Sequence, residues 1–271
     1  MPDILQTINA APDITSNDKY YWGYQFQLGR DVLVPYVRQH GGFKSGDAVV
    51  EIGAAEGGVL MAFKEAGAGL TAGTDIATYR IGIGQQISNK LGLGIEFSEH
   101  DILGAEPKGH WRNAFDLAIL RDVIEHLDDA ELAIRNIRKV LKPGGHLLVT
   151  FPPYNSPYGG HQHILKNALG KLPYVHLLPE PFFSAIVDSG DAHEVDKEEV
   201  HRLKRIRLSA GKFLKAARSA GYDIVREDYY LLRPVFKMKF GLPAIPLTPL
   251  KSIPGVKEIL ALEATYLLKM K

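Results

Sequence analysis

The run Val49-Val50-Glu51-Ile52-Gly53-Ala54-Ala55-Glu56-Gly57-Gly58 decides the fold. Val49, Val50 and Ile52 are apolar and β-branched, the composition of a strand buried on both faces. Small residues then crowd a turn. Val59, Leu60 and Phe63 follow at helical spacing, and Gly67 stands where that helix would stop. Strand, glycine-rich turn and helix make the first half of a βαβ unit, whose turn lets a ligand approach the backbone closely.

A dinucleotide site wants G-x-G-x-x-G, in which the middle Gly leaves room for a pyrophosphate. Here the frame Gly53, Ala55, Gly58 puts a methyl group at that position. The strand also carries Glu51 two residues before the first Gly. A carboxylate there repels a pyrophosphate but suits a ligand bearing an ammonium and a sulfonium. The run resembles the E-x-G-x-G-x-G motif of class I S-adenosylmethionine-dependent methyltransferases, read as Glu51, Gly53, Ala55 and Gly57, with Ala54 inside the turn. Ala55 departs from the family's commonest Gly. A tight strand-to-helix turn without a ligand is the other reading of the same residues.

Three more segments bear on the choice. Leu70 to Ile76 reads as a second strand ending in Asp75, 24 residues after Glu51 by position, close to the spacing at which an acid meets ribose hydroxyls. A carboxylate can accept from both hydroxyls of a diol, although a strand-end or helix-capping Asp has the same appearance. Tyr79 to Leu91 is the next helix. Ile95 to Ile102 is a third strand, and the resemblance implies that Asp101 accepts from the adenine amino group while Ile102 packs on the ring. It likewise puts Asp75 and Ile76 at the cofactor. Phe115 to Leu127 resembles the family's fourth-strand motif down to Glu125-His126-Leu127, which implies Arg121 and Asp122 beside the reacting centre. His126 reads either as a base or as a packing and loop-fixing residue. Asp128 or Asp129 caps the following helix, whose buried stripe is Ala130, Ala133, Ile134, Ile137, Val140 and Leu141. Lys142-Pro143-Gly144-Gly145 stops it before a fifth strand, His146 to Phe151.

Composition sets the bounds. The chain has 271 residues, 45% hydrophobic and 23% charged, enough for a substantial core. A net charge of +1 offers no basic stripe, so nucleic acid is not the expected partner. With no cysteine, disulfides, thiolate chemistry and Cys-based zinc sites are excluded. A cytoplasmic protein is expected: Met1-Pro2-Asp3-Ile4-Leu5 lacks the blocks of a signal peptide, and no apolar run is long enough to span a bilayer.

Four regions are expected. Residues 1–46 form an N-terminal part, loosely held to about residue 18. A helix follows with an aromatic start, which Pro35 should bend or interrupt. That helix packs on the sheet edge, or its start covers the cofactor pocket with Tyr21 and Trp22 near substrate. Residues 47–155 form the cofactor-binding core, and 156–208 an inserted lid of short helices. Residues 209–271 complete the core with two antiparallel strands around a Pro-rich stretch, Pro234 to Pro254, which reads as a pocket cap, a membrane-touching surface or a plain loop.

The loop Pro152 to His163 leaves the sheet edge where open α/β sheets place ligands. Tyr154 and Tyr158 are candidate substrate contacts, and His161 and His163 candidate bases for the acceptor's proton. The pair could instead stabilise the loop by side-chain hydrogen bonds. A metal site lacks an evident third ligand nearby, so no metal is expected. The resemblance implies an α/β fold: a three-layer, Rossmann-like, seven-stranded sheet of order 3-2-1-4-5-7-6 with strand 7 antiparallel. It implies S-adenosyl-L-methionine as cofactor and methyl transfer to a small-molecule, lipid or glycan-precursor acceptor, at oxygen by preference. The rivals are a nicotinamide-dependent oxidoreductase and a non-catalytic cofactor-binding adaptor.

Overall fold

The computed structural model describes residues 3–104 and 106–271; Met1 and Pro2 of the expected N-terminal reading lie outside them. The strands are β1 (Val49–Ile52), β2 (Thr71–Asp75), β3 (Glu96–Glu99), β4 (Phe115–Arg121), β5 (Leu141–Phe151), β6 (Tyr222–Leu232), β7 (Ile245–Pro246) and β8 (Glu263–Met270). The helices used below are α1 (Ile4–Asn9), α2 (Ser16–Leu28), α3 (Val34–Gln39), α4 (Gly58–Glu65), α5 (Thr78–Leu91), α6 (Ala130–Arg138), α7 (Glu180–Asp188), α8 (Glu194–Ile206), α9 (Ala210–Ser219) and α10 (Val235–Phe240).

The described residues form an eight-stranded sheet of order β3-β2-β1-β4-β5-β8-β6-β7. Strands β1 to β5 pair in parallel, and β8 runs antiparallel between β5 and β6. This is the expected order, with β8 in the place of the seventh strand. The addition is β7, two residues of the Pro-rich stretch that pair with Tyr230 and Leu232 at the edge. Its backbone pairing could not be read from a stretch so rich in proline, a residue tolerated in sheets only at edges.

Side-chain alternation divides the core between the two faces of the sheet. Val50, Ile52, Ala118, Leu120, Leu147 and Val149 pack with α6 and α9. Val49, Leu117, Ile119, Leu148 and Leu267 pack with α2 and α4 on the other side. Because both faces are covered, β1 and β4 read as continuous apolar runs.

Two N-terminal expectations change. Residues 3–18 are not loosely held: Asp3 caps α1, Thr15 caps α2, and Ile4, Ile8, Ala11 and Ile14 are buried in the second core cluster. Their apolar spacing is spread over a polar segment, which masked it. Pro35 does not break the helix either. A π-helical turn, Gly29–Leu33, carries the chain from α2 into α3 with Pro35 in the first turn of α3. The wider turn accommodates a ring that would otherwise clash with the carbonyl four residues back. The segment 156–208 carries α7 and α8 and a small apolar cluster of Leu165, Val175, Phe183, Val187, Ala192 and Val200.

Candidate active site

The site is a cleft of about 660 Å³ at the C-terminal ends of β1, β2, β4 and β5. That is where a parallel sheet offers turns and helix starts instead of paired backbone. One end is formed by Gly53, Ala55, Asp75 and Arg80, the other by Tyr158, His161, His163, Phe236 and Phe240, with Arg121, Asp122 and Val123 between them.

The first end is built by three left-handed residues, Gly53 (φ 71°), Ala55 (φ 48°) and Gly57 (φ 73°). Ala55 therefore occupies a backbone state that favours glycine, at a cost of about 1–2 kcal/mol. It is held there because its N–H donates to Asp75 Oδ2 at 2.9 Å, while Ala77 N–H donates to Oδ1 at 2.9 Å. Each carboxylate oxygen keeps a further lone pair toward the cleft. Gly57 serves packing: a Cβ there would stand 2.5 Å from Phe97 Cζ. Ala54 is buried beneath the turn.

Glu51 does not line the cleft. Its Oε2 accepts from Leu60 N–H at 3.0 Å, tying β1 to the first turns of α4. Burial pushes its carboxyl up to about 8, against the opposing Arg121 charge and the Leu60 hydrogen bond. Between the ordinary carboxyl range and about pH 8, the unfolded chain has lost this proton and the folded chain has kept it. Stability should then fall as pH rises through that window, by up to about 1.4 kcal/mol per pH unit. Glu51→Gln is expected to flatten the slope in denaturant unfolding between pH 5 and 8; equal slopes in the two proteins would acquit Glu51.

Asp122, at φ 53°, is the hub of the middle. One Nη2 of Arg233 donates to both its oxygens, at 2.6 and 2.7 Å, and Arg121 Nη1 donates at 2.8 Å. Arg233 Nε continues the chain to Glu263 Oε2 at 3.0 Å. Burial would raise the Asp122 carboxyl, but the two guanidinium groups outweigh it and hold it below its ordinary value. Arg233 carried no sequence signal, since it follows β6 some 110 residues downstream in a segment without a motif.

Several expected residues stand elsewhere. Trp22 is fully buried, stacked on Phe26 at 5.1 Å with Nε1–H donating to Met61 Sδ at 3.2 Å, so it is a core residue. The cleft contacts from α2 are Tyr24 and Gln25, one helical turn on; Tyr21 packs edge-on against Tyr24 at 6.0 Å and lies behind the wall. Tyr154 is buried, its hydroxyl donating to His176 O at 3.1 Å, while Tyr158 does line the cleft. Ile102 is buried in the core cluster with Ile52 and Trp111 and is not open to the cleft. Asp101 and Ile76 are exposed beyond the same wall; Asp101 Oδ1 accepts from Leu103 N–H at 2.9 Å.

The loop after β5 is fastened by Gln162, whose Nε2 donates to Pro157 O at 2.9 Å and Leu172 O at 3.2 Å, and by His176. His161 and His163 make no side-chain hydrogen bond among the described residues; within the loop their rings pack edge-on, His163 against Tyr158 and against His161. Burial first, then the neighbouring imidazoles of His126 and His163, push His161 down to about 3. It is a neutral imidazole at physiological pH but too weak a base to hold an acceptor's proton. His163 is also lowered, by burial and by Arg233 and Lys239.

His126 is not isolated. It follows β4 in a 3₁₀ turn, Ile124–His126, and its Nδ1–H donates to Glu199 Oε1 of α8 at 2.5 Å. The cap over the cleft is α10 of the Pro-rich stretch: Lys239 Nζ sits 4.2 Å above the Tyr24 ring, Val235 and Phe236 line the cleft, and Phe240 borders it from an exposed position.

Comparison with known proteins agrees with this geometry. A family profile described as "Methyltransferase domain" matches residues 21–185. Phosphoethanolamine N-methyltransferase 2 of Caenorhabditis elegans is 26% identical over 165 residues, 59% of this chain and 37% of that protein. The ubiquinone/menaquinone biosynthesis C-methyltransferase UbiE of Bdellovibrio bacteriovorus is 28% identical over 135 residues, 49% of this chain and 54% of that protein. The match thus spans between a third and just over half the length of these relatives. Among solved structures, phosphoethanolamine N-methyltransferase 2 of Haemonchus contortus in complex with S-adenosyl-L-methionine superposes with TM-score 0.57 at 14% identity, covering 100% of this chain and 60% of that one. At that identity the likeness speaks for the fold alone. The profile, spanning more than half of the chain and all of the motifs from Glu51 to His163, shows that the protein belongs to the class I S-adenosylmethionine-dependent methyltransferases.

Proposed function

We propose that the protein transfers the methyl group of S-adenosyl-L-methionine to an oxygen of a small-molecule acceptor, which includes lipids and glycan precursors. The observation that carries this reading is the division of one cleft into a glycine-turn end with Asp75 and an aromatic end lined by two imidazoles, His161 and His163. A hydroxyl must lose its proton as the methyl arrives, whereas an amine attacks as it stands. Phe236, Phe240 and Tyr158 give the acceptor end an apolar lining with Lys171 and Lys239 at its border. Family membership sets the nicotinamide alternative aside.

In this reading Asp75 accepts from the ribose hydroxyls with the lone pairs its backbone contacts leave free, and Asp101 and Ile76 flank the adenine side. Arg121 and Asp122 shape the floor where sulfonium and acceptor meet. The main contribution is to hold nucleophile and methyl collinear, an effect of roughly 7–11 kcal/mol when orientation is complete. His163, at the mouth of the cleft, receives the acceptor's proton. Among the described residues no helix is long and apolar enough to cross a membrane. Phe240, Leu242 and Ile245 are exposed on the cap, so a lipidic acceptor would be drawn from a membrane surface there.

Asp75→Ala is expected to weaken S-adenosylhomocysteine binding by about 1–3 kcal/mol, roughly 5- to 150-fold, in calorimetric titration. Wild-type affinity in that variant would remove Asp75 from the cofactor. The reaction itself is tested with methyl-deuterated S-adenosylmethionine against hydroxyl, amine and carbon acceptors, reading the label by mass spectrometry. Label on oxygen supports the proposal. Label on nitrogen or carbon overturns the oxygen assignment, and tight cofactor binding without transfer to any class favours the adaptor.

A further inference from the structure

We infer that Glu125, His126 and His161 form a site for a divalent transition-metal cation, open toward the acceptor end of the cleft. Glu125 Oε1 lies 3.7 Å from His126 Nε2 and 4.0 Å from His161 Nε2, and one ligand atom from each residue falls within 4.8 Å of the others. Ligands around one ion bonded at about 2.0–2.2 Å stand roughly 3–3.5 Å apart, so the two carboxylate–imidazole pairs need to close by up to about 1 Å and the two imidazoles by up to about 1.8 Å.

Two independent features point to a cation. Glu125 is 2% exposed, and both its carboxylate oxygens lack a hydrogen-bond partner among the described residues. A buried carboxyl without partners either keeps its proton or meets a positive charge, and a cation at this position would supply that charge. The second feature is the orientation of His126. Its Nδ1 lies 2.5 Å from Glu199 Oε1 on α8, and its Nε2 is aimed at Glu125, where it becomes a ligand once the ring gives up its second proton to an incoming cation. A carboxylate fixing the far nitrogen of an imidazole is the usual support of a metal-bound histidine.

The chain holds His161 in place against local preference. Its φ is 53°, a strained state for a non-glycine residue, and its ring packs edge-on against His126 with centroids 5.0 Å apart. Strain of this kind persists where the surroundings over-determine it. Two imidazole nitrogens and a carboxylate suit Zn²⁺, Mn²⁺ or Fe²⁺ better than Mg²⁺ or Ca²⁺, which prefer oxygen donors. Asp122 is adjacent but engaged by Arg233 and Arg121. Of the three, His161 lines the cleft, which would give an ion held here access to a bound acceptor.

The role of the cation rests on the oxygen-transfer reading above. A cation here would bind the acceptor oxygen and lower the pKa of its O–H. The proton passes to His163. An oxygen lone pair forms the O–CH₃ bond while the S–CH₃ bond breaks, its electron pair staying on sulfur to give S-adenosylhomocysteine. Charges and atoms balance without a further reactant.

Binding is tested without any acceptor. The full chain, stripped with EDTA, is titrated with Co²⁺ by calorimetry and visible absorption, and with S-adenosylhomocysteine in parallel. Wild type should bind one equivalent with ligand-field bands of a low-symmetry site. Glu125→Gln and His161→Asn, the latter tolerant of the left-handed backbone, should each lose at least about tenfold in Co²⁺ affinity. Their S-adenosylhomocysteine affinity should stay within about twofold. Glu199→Gln, outside the cleft, should weaken Co²⁺ by roughly 10- to 100-fold. It decides the matter should the other variants misfold. No Co²⁺ bound by wild type, or unchanged affinity in Glu125→Gln or Glu199→Gln, overturns the site. Methylation on nitrogen with Co²⁺ still bound overturns the oxygen reading alone.

Discussion

Asp122→Ala is expected to lower stability by about 3–5 kcal/mol, the cost of leaving a buried charge without its partner. For a chain of this size that corresponds to a fall of roughly 6–20 °C in the unfolding midpoint. The physical reason is the composition of the network. Asp122 is the one carboxylate between two guanidinium groups, Arg121 and Arg233, and its loss leaves two like charges facing each other under the cleft. Glu263 then holds Arg233 from one side only. The residue also carries backbone geometry, because its left-handed state ends β4 where the chain borders the cleft. Comparison of Asp122→Ala, Arg233→Met and the double variant separates these roles. If the charge network dominates, the double variant should lose clearly less than the sum of the singles. Additive losses, or a drop below about 1 kcal/mol in Asp122→Ala, would show that the ion pairs contribute little.

Gly53→Ala is the second large effect, expected at about 2–5 kcal/mol with loss of most cofactor affinity. Two costs combine. At φ 71° a Cβ is strained by roughly 1–2 kcal/mol wherever it points. Here it would also stand 2.3 Å from Val123 Cγ2, a stiff β-branched side chain that cannot rotate away cheaply. Overpacking of this order costs about 1–3 kcal/mol. Val123 follows Asp122, so relief of the clash would displace the turn after β4 together with the turn after β1. Combining Gly53→Ala with Val123→Ala removes the steric part and keeps the backbone part. Partial recovery of stability is the expected result; none at all would assign the whole loss to the backbone. Wild-type stability and affinity in Gly53→Ala would show that neither the strain nor the contact matters.

The glycine turn and the strand order were legible because both arise from local rules. A run such as Val49 to Ile52 reads as a buried strand by composition, and a Gly-Ala-Ala-Glu-Gly-Gly turn can only join it to a helix. Asp75 was legible because the βαβ unit has a nearly constant length. The aromatic α2 was legible as a helix but not by face: Trp22 and Tyr24 are both buried, and only the packing of α2 on α4 shows that Trp22 is enclosed while Tyr24 also borders the cleft. Gly58 explains that outcome, since a Cβ there would meet Trp22 O at 2.5 Å and Phe26 N at 2.8 Å. The two helices touch backbone to backbone, which forces Trp22 inward.

The sequence by itself determined the architecture, the cofactor class and the glycine end of the site, all of which depend on residues within one βαβ unit or on ordered strand motifs. Tertiary structure alone decided the other end of the cleft. Arg233 reaches Asp122 across 111 positions, Glu199 reaches His126 across 73, and His161 meets Glu125 from a different loop. Such meetings depend on where β4, β5 and β6 release the chain along one sheet edge. Periodicity and spacing record only neighbours within an element, so histidines read separately in the sequence, His126 and His161, meet in one part-buried cluster with Glu125.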